Sequence, residues 1–361
     1  MASASETHTT DVVVVGAGPI GLELAVALQA AGVDYVHLEA QQVGHTVSWY
    51  APQTTFFSSP ERIAIAGVPL VTPDQAKATR EQYLAYLRSV VQQFDLRVHT
   101  YERVIGIDRL DDGKLDVRTR RGDSTSGTYH ASHLVLAVGD MHGPRRLQIP
   151  GEDLPHVSHY FQDPHTYFGQ RLLIVGGKNS AAEAAIRCHR MGAHVMLSYR
   201  REEVDRRAIK YWLLPELESL FRSEEIVFHP RTVPTEIEPG GVTLARVDEN
   251  ERVDEDDTTR LACDFVLLMT GYEQDKSLFE MAGVTLDGEN RAPWYDPQTM
   301  ETDAPGVFVA GTAAAGTQER FRLFIENCHC HVDRIVRAIT GSAVPDGVIN
   351  RAAEAYALPE S

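Results

Sequence analysis

A strand, a glycine-rich turn and a helix occur twice in this chain, and this repeat most constrains its fold. Residues 11–15 (DVVVV) are a short apolar run, GAGPIG follows at 16–21, and the apolar positions of LELAVALQAAG recur at helical spacing. RLLIV, GGKNSA and AAEAAIRCHRMG repeat this order about 160 positions later, a period typical of a duplicated nucleotide-binding unit. We therefore predict an α/β fold with two Rossmann-like dinucleotide-binding domains of the three-layer ββα sandwich type.

The first turn satisfies the pattern G-x-G-x-x-G between a strand and a helix. Gly16 permits the tight turn, Gly18 lets the backbone approach a pyrophosphate, and Gly21 allows close packing of helix and sheet. The start of the helix offers free N–H groups and a partial positive charge to phosphates. Glu39 ends the next strand, where its carboxylate can accept hydrogen bonds from both hydroxyls of an adenosine ribose. These features predict a bound dinucleotide.

The second turn departs from the pattern, because Lys178 stands where the middle glycine is expected. Either the lysine points outward, or its ammonium contacts the pyrophosphate as a point charge. Glu39 follows Gly16 by 23 positions, and the same count from Gly176 reaches Tyr199, which Arg200 and Arg201 follow. Two guanidinium groups would hold a 2′-phosphate that a carboxylate would repel, so we predict NADPH at the second turn.

The order of segments predicts that one domain is inserted into the other. The second unit ends with DFVLLMTGY at 264–272, and GVFVAG at 306–311 and an amphipathic stretch at 319–340 close the chain. Residues 100–130 are expected to form a small antiparallel insertion in the first unit. We place the first domain at residues 1–155 and 286–361 and the second at residues 156–285.

The amino-acid composition limits where the protein can be located and which partners it can bind. The hydrophobic content is 43%, and no apolar run approaches the roughly 20 residues that span a bilayer. The first residues, MASASETHTT, have neither the basic nor the apolar region of a signal peptide, so we expect a cytoplasmic protein without membrane association. The net charge of −17 should repel nucleic acid.

Four cysteines are present, and none of them forms a CxxC pair. Cys188 lies within a predicted helix and Cys263 at an apolar strand, so we expect both to be buried packing residues. Cys328 and His331 have helical spacing, but two ligands are too few for a closed metal site, and we predict no metal. The sequence identifies no catalytic side chain.

Several longer stretches, together with the two turns, resemble a known family. They are TTFFSSPERIAIAGVP at 54–69, IPGEDLPHVSHYF at 149–161, LLIVGGKNSAAEAA at 172–185, IKYWLLPELE at 209–218 and LFIENCHCH at 323–331. The chain resembles the two-domain flavoproteins of the low-molecular-weight thioredoxin reductase type, and within them the YpdA family of bacillithiol disulfide reductases. The turn GGKNSA with its lysine belongs to that family's pattern.

The resemblance implies FAD in the first unit, with Val104 near the adenine and Gly311 and Thr312 beside the ribityl chain. It also implies that a helix beginning near Arg320 points its N-terminus at the flavin, and that the protein is a homodimer or homotetramer. NADPH would deliver a hydride to the flavin, which would pass two electrons to a low-molecular-weight disulfide or a related small-molecule acceptor.

The sequence departs from the resemblance at Ile20. Members of the family can carry a cysteine at that position, and this thiol is proposed to meet the substrate disulfide. With no CxxC pair, either the flavin reduces a small acceptor directly or another cysteine serves.

Two other functions stay open. One is a flavin monooxygenase, although IPGEDLPHVSHY has isoleucine for phenylalanine in the motif FxGxxxHxxxY/F and places His156 and Tyr160 one position late. The other is a reductase of a protein electron acceptor such as ferredoxin, against which the acidic surface argues, or a non-catalytic flavin sensor. The complete set of expected cofactor-binding residues is Gly16, Gly18, Pro19, Ile20, Gly21, Glu39, Ala40, Thr46, Val104, Gly139, Gly311 and Thr312 for FAD, and Gly176, Gly177, Lys178, Asn179, Ser180, Arg200, Arg201 and Gly271 for NADPH.

Overall fold

The computed structural model describes residues 6–122, 124–318 and 322–350. In chain order the elements up to residue 144 are β1 (Glu6–Val15), α1 (Pro19–Ala30), β2 (Tyr35–Leu38), α2 (His45–Ser48), α3 (Pro60–Ile63), α4 (Arg80–Gln93), β3 (Val98–His99), β4 (Glu102–Arg109), β5 (Leu115–Arg121), β6 (Ser126–Leu136) and β7 (Gly143–Pro144). The later elements are β8 (Val157–Ser158), β9 (Arg171–Val175), α5 (Asn179–Arg190), β10 (His194–Tyr199), α6 (Leu214–Arg222), β11 (Ile226–Pro230), β12 (Thr232–Glu238), β13 (Gly241–Val247), β14 (Val253–Ala262), β15 (Phe265–Leu268), β16 (Tyr272–Glu273), α7 (Ser277–Met281), β17 (Leu286–Asp287), β18 (Ala292–Pro293), β19 (Val307–Val309) and α8 (Ile325–Thr340).

The chain divides into two compact units. The first contains the residues up to Ser48, then Gln53–Gly143, and then those from Tyr272 onward. The second contains Trp49–Pro52 and Pro144–Gly271. Along the chain, the second unit therefore interrupts the first.

The first unit is built on a mostly parallel sheet. Its strand order is β3-β2-β1-β6-β5-β4, and β19 pairs in parallel with the carboxyl-terminal half of β6. The long strand β6 is parallel to β1 but antiparallel to β5, and β5 is antiparallel to β4. Buried valines of β1, Val12 to Val15, form the centre of the core. The antiparallel insertion predicted at residues 100–130 is confirmed.

The second unit has a five-stranded parallel sheet in the order β11-β10-β9-β15-β8. A separate antiparallel sheet, β12-β13-β14, lies between β11 and β15 along the chain. Leu172 and Leu173 of β9, whose side chains point to opposite faces of the sheet, are both fully buried, as expected for a central parallel strand covered on both faces. The prediction of an α/β fold with two Rossmann-like units is confirmed.

The last helix differs from the sequence prediction at its start. Helix α8 begins at Ile325, and Arg322–Phe324 are not helical, whereas the predicted start near Arg320 lies outside the described residues. The side chain of Asn327 explains the observed start, because its oxygen accepts from the Phe324 N–H at 2.8 Å and its amide donates to the Arg322 carbonyl at 2.8 Å. The bond from the Phe324 N–H satisfies a free donor at the start of the helix, and the bond to the Arg322 carbonyl ties the preceding residues to the first turn.

The described helices were also compared with the length and apolarity that a bilayer requires. None of them meets both criteria for a membrane span.

Candidate functional site

The first glycine turn joins β1 to α1, and its outer glycines are required by the protein itself. A Cβ atom on Gly16, whose φ is +106°, would lie 2.5 Å from the Ala137 carbonyl oxygen, and one on Gly21 would lie 2.0 Å from the Gly16 oxygen. The middle glycine differs, because no described atom lies within 4 Å of the position where a Cβ of Gly18 would stand. Gly18 therefore leaves space open beside the N-terminus of α1. Pro19 and Ile20 form the first turn of that helix.

Glu39 is held at the end of β2 by the backbone of the first turn. Its Oε2 accepts from the Ala17 N–H at 2.8 Å, and its Oε1 accepts from the Gln41 N–H at 2.8 Å, across Ala40. Each carboxylate oxygen keeps lone-pair capacity for a further donor. The carboxylate is thus oriented by the protein before any ligand binds.

The start of α2 also approaches this turn. The Gly44 N–H donates to the Ala17 carbonyl at 3.0 Å, and Thr46 lies two positions further, within α2. Val104 lies in β4, whose first residue, Glu102, donates its N–H to the Glu39 carbonyl at 2.9 Å. Val104 is 6% exposed and belongs to the hydrophobic core.

The carboxyl ends of three adjacent strands bring further predicted residues to the same edge of the sheet. Val15 of β1 pairs with Leu136 of β6, and Leu136 pairs with Val309 of β19, so the residues that follow these strands are neighbours. The distances from hypothetical Cβ atoms on Gly311 and Gly139 to their neighbours show how close these residues lie. One on Gly311 would lie 3.3 Å from the Ile20 Cβ, and one on Gly139 would lie 3.9 Å from the Thr312 Oγ1.

A polar network that sequence reasoning missed surrounds Gly139. The Gln274 amide donates to the Gly139 carbonyl at 2.8 Å and to the Ala313 carbonyl at 3.0 Å. Asp140 accepts from the Gln318 amide at 2.8 Å and also from the Thr312 hydroxyl. Burial raises the pKa of Asp140 despite these bonds. No motif marks these residues, because they come from distant segments and meet only through their side chains.

The motif CHCH of α8 has a structural explanation. The buried His331 accepts through Nδ1 from the Gly311 N–H at 3.2 Å, and burial lowers the pKa of His331 to about 4. His329 contacts the Glu23 carboxylate of α1 through Nδ1 at 2.6 Å and the Arg62 carbonyl through Nε2 at 2.9 Å. Burial acts to lower the pKa of His329, but its contacts with Glu23 outweigh burial and raise it. The two rings therefore anchor opposite sides of α8.

Among the described residues, no group of three or more His, Cys, Asp and Glu side chains is arranged to hold a metal ion. Cys188, Cys263 and Cys328 are fully buried, as predicted for the first two, and Cys330 is half-buried. Burial raises the pKa of Cys188 to about 12, that of Cys263 to about 11 and that of Cys328 well above its usual value. These three thiols stay protonated at neutral pH.

The second glycine turn joins β9 to α5. A Cβ on Gly176, whose φ is +146°, would lie 2.5 Å from the Met269 carbonyl oxygen and 3.2 Å from the Ala181 Cβ. Lys178 has φ −113° and ψ −169°, extended values that any residue adopts, and it precedes the first residue of α5. The lysine is therefore accommodated without backbone strain, and the turn is intact.

Backbone hydrogen bonds show that Tyr199 is the structural equivalent of Glu39. The Gly16 N–H donates to the Leu38 carbonyl at 2.8 Å, and the Gly176 N–H donates to the Ser198 carbonyl at 2.9 Å, one residue before each position. The ring of Tyr199 lies against Gly177, where an added Cβ would stand 2.4 Å from it. The two units thus share one geometry and differ in the side chain at this point.

The remaining residues predicted to bind NADPH lie at the start of α5 and after β15. Asn179 and Ser180 open α5, and the Asn179 side-chain oxygen accepts from the Lys210 N–H at 3.2 Å. Lys210 is 4% exposed, and its ammonium lies 3.0 Å from the Glu183 carboxylate. Gly271 follows β15 with φ +96°. The segment 209–218 therefore braces the first turn of α5, a role that its sequence did not indicate.

Arg200 and Arg201 converge on one carboxylate. Their Nε atoms lie 3.1 and 3.0 Å from the two oxygens of Glu251, which lies between β13 and β14. Both arginine side chains are about half exposed, 48% and 51%. Two guanidinium groups that meet one anion show that this surface can hold an anionic group.

Comparisons with known proteins agree with these two units. Residues 13–311 match the pyridine nucleotide-disulphide oxidoreductase family. Bacilliredoxin reductase Bdr of Bacillus subtilis is 35% identical over 330 residues, which cover 91% of this chain and 96% of the relative. A ferredoxin–NADP reductase of Ignicoccus hospitalis is 29% identical, covering 83% of this chain and 89% of the relative.

A solved structure has the same fold over most of its length. Bacillithiol disulfide reductase Bdr (YpdA) from Bacillus cereus superimposes with a TM-score of 0.86 at 35% identity, covering 92% of this chain and 99% of that one. The protein is thus an oxidoreductase that uses a flavin and a nicotinamide nucleotide. The chain belongs to the pyridine nucleotide-disulphide oxidoreductase family and, within it, groups with the bacilliredoxin reductases.

Proposed function

We propose that this protein is an FAD-containing, NADPH-dependent reductase of a low-molecular-weight disulfide similar to bacillithiol disulfide. One observation carries the proposal: two equivalent glycine turns are followed by opposite charges. Glu39 stands at the end of β2, whereas Arg200 and Arg201 follow Tyr199, the equivalent residue at the end of β10. A carboxylate selects a ribose diol and repels a 2′-phosphate, while paired guanidinium groups bind that phosphate.

The residues of the first turn fit the adenosine and pyrophosphate of FAD. The open space at Gly18 admits a phosphate, and the N–H groups at the start of α1 face it with the positive end of the helix dipole. Glu39, fixed by two backbone N–H groups, is ready to accept from ribose hydroxyls. When bound, the flavin supplies a two-electron carrier between the nicotinamide nucleotide and the acceptor.

The residues of the second unit fit NADPH. Lys178, in its unstrained extended conformation, adds positive charge beside the N-terminus of α5. Arg200 and Arg201 project two guanidinium groups to the same place, as a 2′-phosphate with a charge of about −1.5 to −2 at neutral pH requires. We assign FAD to the domain at 1–155 and 286–361 and NADPH to that at 156–285.

The cysteines support reduction without a CxxC pair. Thiol–disulfide exchange needs a thiolate, and burial keeps Cys188, Cys263 and Cys328 protonated. Ile20, which is 6% exposed, offers no thiol beside Gly311. In balance, one disulfide, one NADPH and one proton yield two thiols and NADP⁺. The similarity to bacillithiol disulfide reductase supports this acceptor class. We also propose a cytoplasmic homodimer or homotetramer.

Rapid mixing with NADPH and with NADH tests the nucleotide assignment. The double variant R200A/R201A should lose ~1.5–3 kcal/mol for each charged hydrogen bond removed, seen as a higher apparent dissociation constant for NADPH alone. The matched control R190A/R260A removes the same charge from exposed arginines of the same unit that pair with Glu216 and Glu238. Flavin bleaching by NADH as fast as by NADPH in the wild type would overturn the assignment.

One observation favours a second candidate, a reductase of a protein acceptor such as ferredoxin. A ferredoxin–NADP reductase is 29% identical over most of this chain. The net charge of −17 opposes docking on an acidic ferredoxin. Steady NADPH supply with bacillithiol disulfide, other small disulfides and ferredoxin, each tested alone, separates the two. Turnover with ferredoxin and none with any disulfide would replace the first candidate by the second.

A further inference from the structure

The two arginines expected to bind the 2′-phosphate are already engaged with a carboxylate. Glu251 accepts from Arg201 Nε at 3.0 Å and lies 3.1 Å from Arg200 Nε, with one oxygen for each arginine. The Nε atom of each arginine is therefore unavailable to an anionic ligand while this carboxylate stays in place. The contact joins residues about 50 positions apart, so it arises from the tertiary fold.

Backbone hydrogen bonds bring Glu251 to this place. The Arg231 N–H donates to the Arg201 carbonyl at 3.1 Å, and the Val247 N–H donates to the Arg231 carbonyl at 2.9 Å. The end of β13 is therefore linked through Arg231 to Arg201, the second residue after β10. Residues 248–252 make the turn to β14 directly beyond this attachment, which places the turn beside the arginines.

The turn itself is tightly bonded. The Asp248 carboxylate accepts from the Asn250 N–H at 2.8 Å and from the Arg252 N–H at 2.9 Å, and the Glu251 N–H donates to the Asp248 carbonyl at 3.0 Å. Glu251 has φ +60°, a left-handed conformation that glycine adopts most easily. A glutamate in this conformation is unfavourable for the turn, and it directs a carboxylate toward Arg200 and Arg201.

We propose that Glu251 is a specificity-determining residue that competes with the 2′-phosphate of the nucleotide for Arg200 and Arg201. This inference rests on the proposed function. A carboxylate carries one negative charge, whereas the phosphate carries about −1.5 to −2 at neutral pH, so the phosphate displaces the carboxylate. A nucleotide without the 2′-phosphate does not gain enough from the arginines to displace it. Glu251 thus lowers the affinity for NADPH but prevents weaker anions from occupying the site.

An ordinary surface ion pair makes a different prediction. Exposed pairs contribute little to stability, so removing Glu251 would then change neither folding nor binding. Under competition, removing the carboxylate frees both guanidinium groups and tightens the binding of a 2′-phosphate in particular. The two accounts differ in a single measurable quantity, the affinity for a ligand that carries this phosphate.

Calorimetric titration of the flavin-loaded enzyme with adenosine 2′,5′-bisphosphate provides the test, with adenosine 5′-monophosphate as the reference ligand. The variant Glu251→Gln keeps the size of the side chain and removes its charge. We expect it to bind the bisphosphate about three- to tenfold more tightly than the wild type, because two exposed ion pairs no longer compete. Binding of the monophosphate should be unchanged.

A matched control lies on the same turn. Glu249 is 84% exposed and lies 4.0 Å from Arg231, so Glu249→Gln removes the same charge from the same turn without touching Arg200 or Arg201. The control should bind the bisphosphate as the wild type does. Equal gains in Glu251→Gln and Glu249→Gln would reduce the effect to general electrostatics and overturn the proposal.

A second Glu251 variant controls for effects of the substitution on the conformation of the turn. Glu251→Gly relieves the left-handed backbone and should also bind the bisphosphate more tightly. If neither Glu251 variant gains affinity while R200A/R201A loses it, competition by Glu251 is wrong and the NADPH assignment stands. If R200A/R201A binds the bisphosphate as tightly as the wild type, the assignment itself fails.

Discussion

The two glycine turns have the same backbone and different side chains at the end of the second strand. In the first unit, Glu39 accepts from the N–H of Ala17, the residue after the first glycine. In the second unit, the ring of Tyr199 lies against Gly177, which holds the corresponding place. One turn is closed by a charged hydrogen bond and the other by an aromatic contact. Equivalent geometry can therefore present a carboxylate or leave room for neighbouring arginines.

The two turns also differ in the residue at their middle position, which is Gly18 in the first and Lys178 in the second. At Gly18, no described atom lies near the site of an added Cβ, so the protein itself does not require a glycine there. At Lys178, the equivalent residue of the second turn, the backbone is extended and accommodates a side chain. The fold thus accepts a side chain at the middle position of either turn. Under the proposed assignment, the flavin nucleotide would require the glycine of the first turn, whereas the nicotinamide nucleotide would allow the lysine of the second.

The largest expected effect separates a glycine required by the fold from one required by the ligand. Gly21→Ala would place its Cβ 2.0 Å from the Gly16 oxygen. Such overpacking against backbone should cost about 3 kcal/mol or more of unfolding free energy and abolish flavin retention. Gly18→Ala meets no protein atom, so it should lose flavin while the flavin-stripped protein unfolds as the stripped wild type does. Urea unfolding of stripped protein and visible absorbance per chain measure both quantities.

A glycine of the second turn, at the position equivalent to Gly16, provides the control. Gly176→Ala also meets a backbone oxygen, at 2.5 Å from Met269, but it should leave the flavin content of the protein unaltered. If Gly18→Ala retained its flavin as the wild type does, the role given to the open space beside α1 would be wrong.

The sequence predicted the two turns and their charges because these features are local. Strand, turn and helix follow one another, and the positions of Glu39 and Arg200 follow from a fixed count along the chain. Gln274, His331 and Glu251 could not be predicted in the same way. Each contacts residues of the candidate site from a distant segment, and only the packed fold brings it there. The acid-rich turn of Glu251 resembles an ordinary solvated loop in sequence.

The first turn has a second support, the ring of His331. Its Nδ1 accepts from the Gly311 N–H, and Gly311 in turn lies against Ile20 of α1. Burial, with Arg334 and His329 nearby, lowers the pKa of His331 from 6.5 to about 4. His331 therefore binds a proton more readily in the unfolded chain than in the folded protein. The free energy that the neutral ring contributes to folding is complete above pH 6.5 and is lost as the pH falls toward 4.

His331→Gln removes this titration but keeps a side-chain oxygen that can accept from Gly311. Between pH 7.5 and 4.5, the wild type should lose about 2 kcal/mol more unfolding free energy than the variant. Urea unfolding at the two pH values measures the difference. The same substitution at the exposed His194, in the second unit, should leave the pH dependence of the wild type unchanged. Parallel pH profiles of wild type and His331→Gln would refute the role of His331.

The smallest expected effects come from one atom changed at each of the two equivalent positions. Glu39→Gln turns one of two acceptors into a donor, so either Ala17 or Gln41 faces an N–H group instead of an oxygen. Flavin binding should weaken by about 1–2 kcal/mol. Tyr199→Phe keeps the ring that covers Gly177, so stability and affinity for adenosine 2′,5′-bisphosphate should change by less than about 0.5 kcal/mol. Titration of stripped protein with FAD, and of loaded protein with the bisphosphate, gives both values. Similar losses at the two positions would mean that the tyrosine hydroxyl, like the carboxylate, serves the ligand, and the contrast between a polar and an aromatic closure would disappear.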